Sequence, residues 1–511
     1  MATQWQTYPI EFRGGLISNQ SRLQQGTNAV GSATFLQNFE VNKEGGYTKI
    51  KGYEKFSDTA VPGSGPVLGL KVVDSGKILA ARKNASNLTE WYYGSGTTWT
   101  SIIAATFLGN KARHVTFKLG TDVQVAIVDG VNFPAVYDTS DDSLTYINNS
   151  DVQGADHVAY FKSTAFYAKD NILYFTAPLT VDDFSVANGA GTINVSHDVT
   201  GLVVFRDQLI VFTENTVQRI TGTSAADFTM SPITDRIGCI SADTIQEVGG
   251  DIMYVAPDGI RLLSATDRIG DFGLDIASDV IAEDANKFLA NSSIYTSVLF
   301  RDKAQYRILS YVESEQSETA KGLIATKLVS QGASSIGWST TFGIKAYVAD
   351  SVYSGNSETI CFANEDGYVY ELGTGSDFDG SIIEAIYESP YMPIGDPQIR
   401  KTLYKMSLYA EPSGSMALST NIKYDFDTAT NSGTVQPSAI EISSTGESVF
   451  IFGETSSVYG TATYGGVLDN VYNKHITGSG KTLAIRIEDI STNPSFTLDT
   501  VVLEYKTNDR Q

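Results

Sequence analysis

Residues 202–220, LVVFRDQLIVFTENTVQRI, followed by residues 252–263, IMYVAPDGIRLL, decide the reading of this chain. In the first, two apolar strands flank Arg206-Asp207, and Glu214-Asn215 joins the second strand to a third at hairpin spacing. In the other, Asp258-Gly259 is expected to turn IMYVA back into IRLLS, Gly supplying the positive φ that a tight turn needs. Working outward, the same unit recurs: an apolar strand, a polar turn, a second strand, a Gly/Asn/Asp turn, a third strand and a more polar fourth.

Copies begin near Val67, Arg113, His157, Val199, Ala242, Ser293 and Ala346, and Asp366-Gly367 repeats the turn device in the last. Their spacing of roughly 43–53 residues is that of four-stranded propeller blades. The chain is therefore expected to be all-β, with a propeller of six or seven four-stranded blades over residues 61–390. Residues 1–60 hold short strands between polar loops. Pro390, Pro393 and Pro397 interrupt the rhythm, and residues 391–511 return to alternating strands. The two flanks together are expected to form a β-sandwich-like platform. One amphipathic helix is expected, from about Asp275 to Ser292.

Composition agrees. Among 511 residues, charged residues are only 18%, and Tyr (27) and Phe (24) suit half-buried pleated surfaces. The opening MATQWQTYPIEFRGG has no basic start followed by an apolar core, and no run reaches the ~18 apolar residues of a spanning helix. A soluble protein made in a cytosol-like compartment, without membrane insertion, is the expectation. Cys239 and Cys361 lie among apolar residues, as buried free thiols do. The net charge of −22 argues against a protein that grips nucleic acid by its phosphates, since that affinity comes from Lys and Arg clusters.

No stretch carries a catalytic or cofactor signature. GSGKT, Gly478 to Thr482, resembles the end of a phosphate-binding loop, but His475 stands where that loop needs its first Gly, and KTLAIRIEDI alternates like a strand where the loop needs a helix. Asp138, Asp141 and Asp142, Asp377 and Asp379, and Asp425 and Asp427 lack the offsets and closing Glu of a calcium loop and read as solvated turns. The four histidines, His114, His157, His197 and His475, show no paired spacing, and His157 at a strand start reads as a packed ring. No pair of carboxylates is marked out for sugar cleavage. Trp91, Tyr92, Tyr93 and Trp338 could line a carbohydrate groove, though blade strands carry such residues as core. The expectation is a protein with no catalytic residues, no metal and no cofactor.

Three stretches resemble the tail nozzle proteins of short-tailed bacteriophages, known as tail tubular protein B or packaged-DNA stabilisation protein. They are residues 12–56, from FRGGLISNQ to GYEKF; the central LVVFRDQLIVFTENTVQRITG with RIGCISADTIQEVGGDIMYVAPDGIRLLS; and the closing LAIRIEDISTNPSFTLDTVVLEYKTNDRQ. The resemblance implies a virion protein: a homohexameric ring at the distal end of the tail, below a head-to-tail adaptor and beside tail fibre or tip proteins. Genomic DNA would be retained by this ring and then pass through it without sequence-specific binding. No enzymatic residues belong to the family pattern. Acidic residues facing that lumen would keep DNA moving, because duplex DNA carries about one charge per 1.7 Å. The competing reading is a carbohydrate- or receptor-binding propeller, an adhesin at the tail tip.

Overall fold

The computed structural model describes residues 5–508 except 75, 121, 265–275, 293, 312–320, 331–332, 356, 427–436 and 445–469. Within that span six separate sheets form the blades of a propeller. Blade 1 runs Ser64–Asp74, Lys77–Lys83, Thr89–Gly94 and Trp99–Ala104. Blade 2 runs Arg113–Leu119, Asp122–Val128, Ala135–Asp138 and Leu144–Tyr146. Blade 3 holds His157–Phe161, Thr164–Lys169, Ile172–Phe175 and Gly191–Asn194. Blade 4 holds Val199–Phe205, Gln208–Thr213, Val217–Thr221 and Thr229–Thr234. Blade 5 has three described strands, Gln246–Val248, Asp251–Ala256 and Gly259–Leu262. Blade 6 is Val348–Ser354, Ser357–Ala363 and Val369–Leu372, completed by Tyr53–Lys55 from near the N-terminus.

Between blades 5 and 6 stands a leaf of four antiparallel strands, Ile294–Phe300, Gln305–Tyr311, Lys321–Ser330 and Ala333–Phe342. This leaf is one end of a nine-stranded sheet. The sheet continues through Phe35–Gln37, Ile383–Glu388, Leu483–Ser491, Met416–Tyr424 and Ile440–Ser444. Hydrogen bonding thus runs unbroken from the ring into strands of both chain ends. A further seven-stranded sheet combines Gln6–Glu11, Phe39–Val41 and Tyr47–Lys49 with Lys401–Pro412, Val471–His475, Ser479–Gly480 and Phe496–Thr507. The two large sheets contribute to one apolar core.

The side-chain period of two explains why these strands read as blades. In blade 1, Ile78 and Ala80 pack towards blade 6, while Leu79 and Ala81 pack towards blade 2. Leu209 and Val211 face blade 3, and Ile210 and Phe212 face blade 5. Ile360 and Phe362 meet the leaf, and Cys361 and Ala363 meet blade 1. The leaf obeys the same rule, with Leu323 on one side and Ile324 on the other. A strand sandwiched between two neighbours must be apolar on both faces, which is why KILAARK and QLIVFT are continuous runs. Each fully buried Leu, Ile or Phe contributes roughly 1.5–3 kcal/mol.

The first-to-second strand turns follow the hairpin rule. Lys162 and Ser163 in blade 3, and Arg206 and Asp207 in blade 4, have φ of 49° and 59°, and of 46° and 64°. Two positive φ values in succession match the right-handed twist of the strands they join. The third-strand turn of blade 5 differs from expectation by one residue. Gly259 is paired with Ala256, so the loop is Pro257-Asp258, and the positive φ of 141° lies on the first residue of the strand. Proline already holds the φ that the first loop position needs.

The expected helix is a 3-10 turn, Asp279–Ile281, leading into Ala282–Asn291. A second helix, Arg22–Asn28, has no counterpart in the sequence reading: it is short and contains Gly26, which lowers helix propensity. Gly26 is required there, since a Cβ would stand 2.0 Å from the Tyr391 carbonyl oxygen. Among the described residues no helix is long and apolar enough to cross a membrane. Both cysteines are free and buried, on different blade interfaces.

Candidate axial site

The innermost strands of all six blades and of the leaf converge on a cavity of about 200 Å³. Leu70 comes from blade 1, Lys111, Arg113 and His114 from the entry to blade 2, and His157 from blade 3. Leu202 comes from blade 4, Asp243 and Gln246 from the entry to blade 5, Ser297 from the leaf and Asp350 from blade 6. An axial strand cannot bury its inner face against a neighbouring sheet, so polar side chains are tolerated there more readily than on the sandwiched second strand.

Two ion-paired clusters occupy the wall. Asp243 accepts from Arg113 Nε and Nη2, both at 3.1 Å, and Lys111 Nζ stands 3.2 Å away. Burial pushes the Asp243 carboxyl up, but Lys111 and Arg113 together hold it well below the usual carboxylate range. Lys111 also donates to the Tyr295 carbonyl at 3.0 Å, and Arg113 to that of Asp156 at 3.3 Å. In the second, Asp350 accepts from Lys71 Nζ at 2.7 Å and from the Val72 amide at 2.8 Å. Burial raises the Asp350 carboxyl as well, but Lys71 and His114, with those hydrogen bonds, outweigh it and leave the pKa lowered.

Both axial histidines are neutral at pH 7. His114 Nε2 lies 3.0 Å from the Leu70 carbonyl and 3.8 Å from Asp350 Oδ1. Burial lowers its pKa, and Lys71 lowers it further. His157 is pushed down to about 3 by burial and by Arg113. Chemically the wall can bind and orient a small polar molecule. Neither carboxylate is a proton donor at neutral pH, because both are held ionised.

The sequence read His157 as a packed ring and gave His114 no role, and both line the axial cavity. It did not single out Lys111, Arg113, Asp243 or Asp350. A signal existed: Arg113, His157 and Asp243 lie at or next to the first residue of their repeat copies, the strand that faces the axis.

The other candidates are elsewhere. Trp91 and Trp338 are 3% and 1% exposed, the first in the interface of blades 1 and 2, the second donating Nε1–H to the Ala277 carbonyl at 3.0 Å. Tyr92 is likewise buried. The acidic turns are self-satisfied: Asp138 accepts from the Ser140 amide, Asp141 from that of Ser143, and Asp377 from that of Gly380. Asp142 pairs with Lys77, Asp379 with Lys55, and Asp425 caps the amides of Lys481 and Thr482. Asp427 lies outside the described residues. Among the described residues no three His, Cys, Asp or Glu side chains cluster as metal ligands would. Thr482 is followed by the strand Leu483–Ser491, where a phosphate loop needs a helix.

Fold and site define a β-propeller protein with a charged axial cavity. No family model and no curated protein matches the chain. Solved structures with some likeness include a computationally designed protein, 10% identical, covering 63% of this chain and 100% of its own, with a TM-score of 0.33. An exo-β-1,3-galactanase from Phanerochaete chrysosporium with galactose is 10% identical over 89% of this chain and 100% of its own, TM-score 0.25. The extracellular domain of a hybrid two component system from B. thetaiotaomicron is 10% identical over 71% and 44%, TM-score 0.40. At these scores none lends an activity to this chain.

Proposed function

We propose that this chain is a structural, non-enzymatic component of a bacteriophage tail. Six copies form a nozzle at the distal end of the tail channel, which retains packaged DNA and passes it during ejection. The sequence resemblance of the three stretches points to this role. The observation that carries it furthest is the weave of both chain ends into the ring. Phe35–Gln37 and Leu483–Ser491 extend the leaf's own sheet, and Tyr53–Lys55 completes blade 6. A wall segment that confines a self-repelling polyanion has to resist being pulled apart, and here all of Gln6–Glu11 is paired with residues 500–505 of the strand Phe496–Thr507. The DNA path in this reading lies between subunits, because an axial cavity of about 200 Å³ passes no duplex. Part of the net −22 lines that path and keeps DNA from adhering. The head-to-tail adaptor sits above the ring, with fibre or tip proteins beside it.

Native mass spectrometry and negative-stain electron microscopy of the purified full chain test the assembly. Rings of six copies, or six-fold assembly on an adaptor ring, are expected. A chain that stays monomeric alone and beside the adaptor would overturn the proposal.

A further inference from the structure

A further cavity, of about 270 Å³, lies between the leaf's first hairpin and blade 6, with Lys51 from the segment ahead of Tyr53–Lys55 at its wall. Three cations line it, Lys51, Lys303 and Arg307, against two carboxylates, Asp302 and Glu358. Counting the ion-pair partners that stand outside the lining adds Glu40, paired with Lys303 and Arg307, and Arg301, paired with Glu358. One positive charge is left over by either count. Both lining carboxylates are already engaged. Glu358 accepts from the Arg301 amide at 2.8 Å and from its guanidinium, and Asp302 accepts from the Lys303 amide at 2.8 Å. Lys51 is exposed and makes no ion pair among the described residues.

Arg307 gives an independent reason to expect an acceptor. It is 1% exposed, and one face of its guanidinium lies on the Phe300 ring, with Cζ 3.9 Å from the centroid. Bonding is left to its N–H edges. Nη2 donates to Glu40 at 2.7 Å and to Gln305 at 2.9 Å, while the buried Nε has no partner. A buried donor on a charged group is rarely left without an acceptor. Lys303 gives one N–H to Glu40, and a lysine has three. The rest of the wall is largely apolar, with Phe300, Tyr353, Ile360 and Leu372. The volume is below the roughly 300–1,000 Å³ of drug-sized pockets, so a single ring or a short chain is the right scale.

We propose that this cavity binds a small monocarboxylate with an apolar body, of the size of benzoate. Its carboxylate is held by Arg307, Lys303 and Lys51, and its ring lies against Tyr353, Ile360 and Leu372. One negative charge matches the one surplus cation, whereas a phosphate dianion would exceed it beside Asp302 and Glu358. This site does not depend on the role in a tail.

Isothermal titration calorimetry on the full chain at pH 7 tests it, with benzoate, its neutral isostere benzamide and inorganic phosphate as probes. Benzoate is expected to bind saturably, tighter than phosphate and about tenfold or more tighter than benzamide, the difference one charge-assisted contact makes. Lys51→Glu, at an exposed position, reverses the surplus and is expected to weaken benzoate by about tenfold or more. Benzoate no tighter than benzamide or phosphate, no saturable heat with benzoate, or an unchanged Lys51→Glu protein would each overturn the proposal. If that variant does not fold, Lys51→Gln decides, since it removes the surplus without adding an acid: weaker benzoate binding is expected, and an affinity equal to the parent's overturns it.

Discussion

Two regions of this molecule bury ionic groups, and they do so to opposite ends. In the terminal weave, Lys49 and Asp489 are 1% and 0% exposed and meet at 2.7 Å, and Ser491 Oγ and two carbonyls complete their partners. Glu40 is closed the same way between Arg307 at 2.7 Å and Lys303 at 2.6 Å. At the axis, Asp243 and Asp350 are just as firmly paired, but Lys111 and Arg113, which hold Asp243, border a cavity. The weave uses charge to lock registers of strands that are far apart in sequence. The axis uses it to keep an open, polar space from collapsing onto itself. An ion pair thus means little until the space around it is known.

The largest expected effect lies in the weave. Lys49→Met leaves the Asp489 carboxylate buried without its cation, which costs about 3–5 kcal/mol. Urea denaturation of the variant against the parent measures it. Adding Asp489→Leu is expected to restore most of the loss, since an apolar pair of similar volume does as well as a buried ion pair. A double variant as unstable as the single one would contradict the register-locking role. Gly52→Ala probes the same join without charge. Its Cβ would stand 1.6 Å from the Asp377 carbonyl, so Tyr53–Lys55 must shift off blade 6. Faster proteolysis at this strand is the expected readout.

The axis is expected to respond to pH through its buried histidines. The folded pKa of His157 is about 3, below the ordinary value near 6.5, so the unfolded chain binds a proton that the folded chain refuses. Stability from this group is therefore whole above pH 6.5 and is lost as pH falls towards 3. The slope approaches about 1.4 kcal/mol per pH unit in that window. His157→Gln is expected to flatten the stability–pH curve between pH 6 and 4, read by denaturation at each pH. Gly52→Ala, which changes no titratable group, is expected to leave that slope unchanged. A curve equally steep in His157→Gln would move the pH response away from His157.

Much of the ring was legible because each blade's second strand is apolar on both faces and is bounded by turn residues. That pattern is local, so LIVF and IMYVA announce it without help from distant residues. The leaf was legible for the same reason, and it reads as a seventh copy although its sheet belongs with the chain ends. The weave was less legible: Phe35–Gln37 and Tyr53–Lys55 are three-residue strands whose partners lie more than 300 residues away. No local period encodes such a pairing. At the axis, His114 and His157 stood out by rarity, whereas Asp243 and Asp350 are two acids among 58 and become a site only when the repeat brings them to one point. The helix Arg22–Asn28 is silent in the sequence because its Gly26 answers to Tyr391, a tertiary contact rather than a propensity.

The smallest effect belongs to an ion pair that is as short as the buried one between Lys49 and Asp489. Lys287 Nζ and Glu283 Oε1 are 2.6 Å apart, at the favourable i, i+4 spacing of the helix Ala282–Asn291. Their side chains are 65% and 62% exposed, so water and salt screen the attraction, and two long side chains lose freedom to make it. Alanine is also the better helix former, which offsets part of what remains. Lys287→Ala is therefore expected to give a urea midpoint that cannot be told from the parent's, at low salt and at high salt alike. A loss comparable to that of Lys49→Met would show that burial does not rank the ion pairs of this chain, and the contrast between weave and axis would have to be rebuilt on geometry alone.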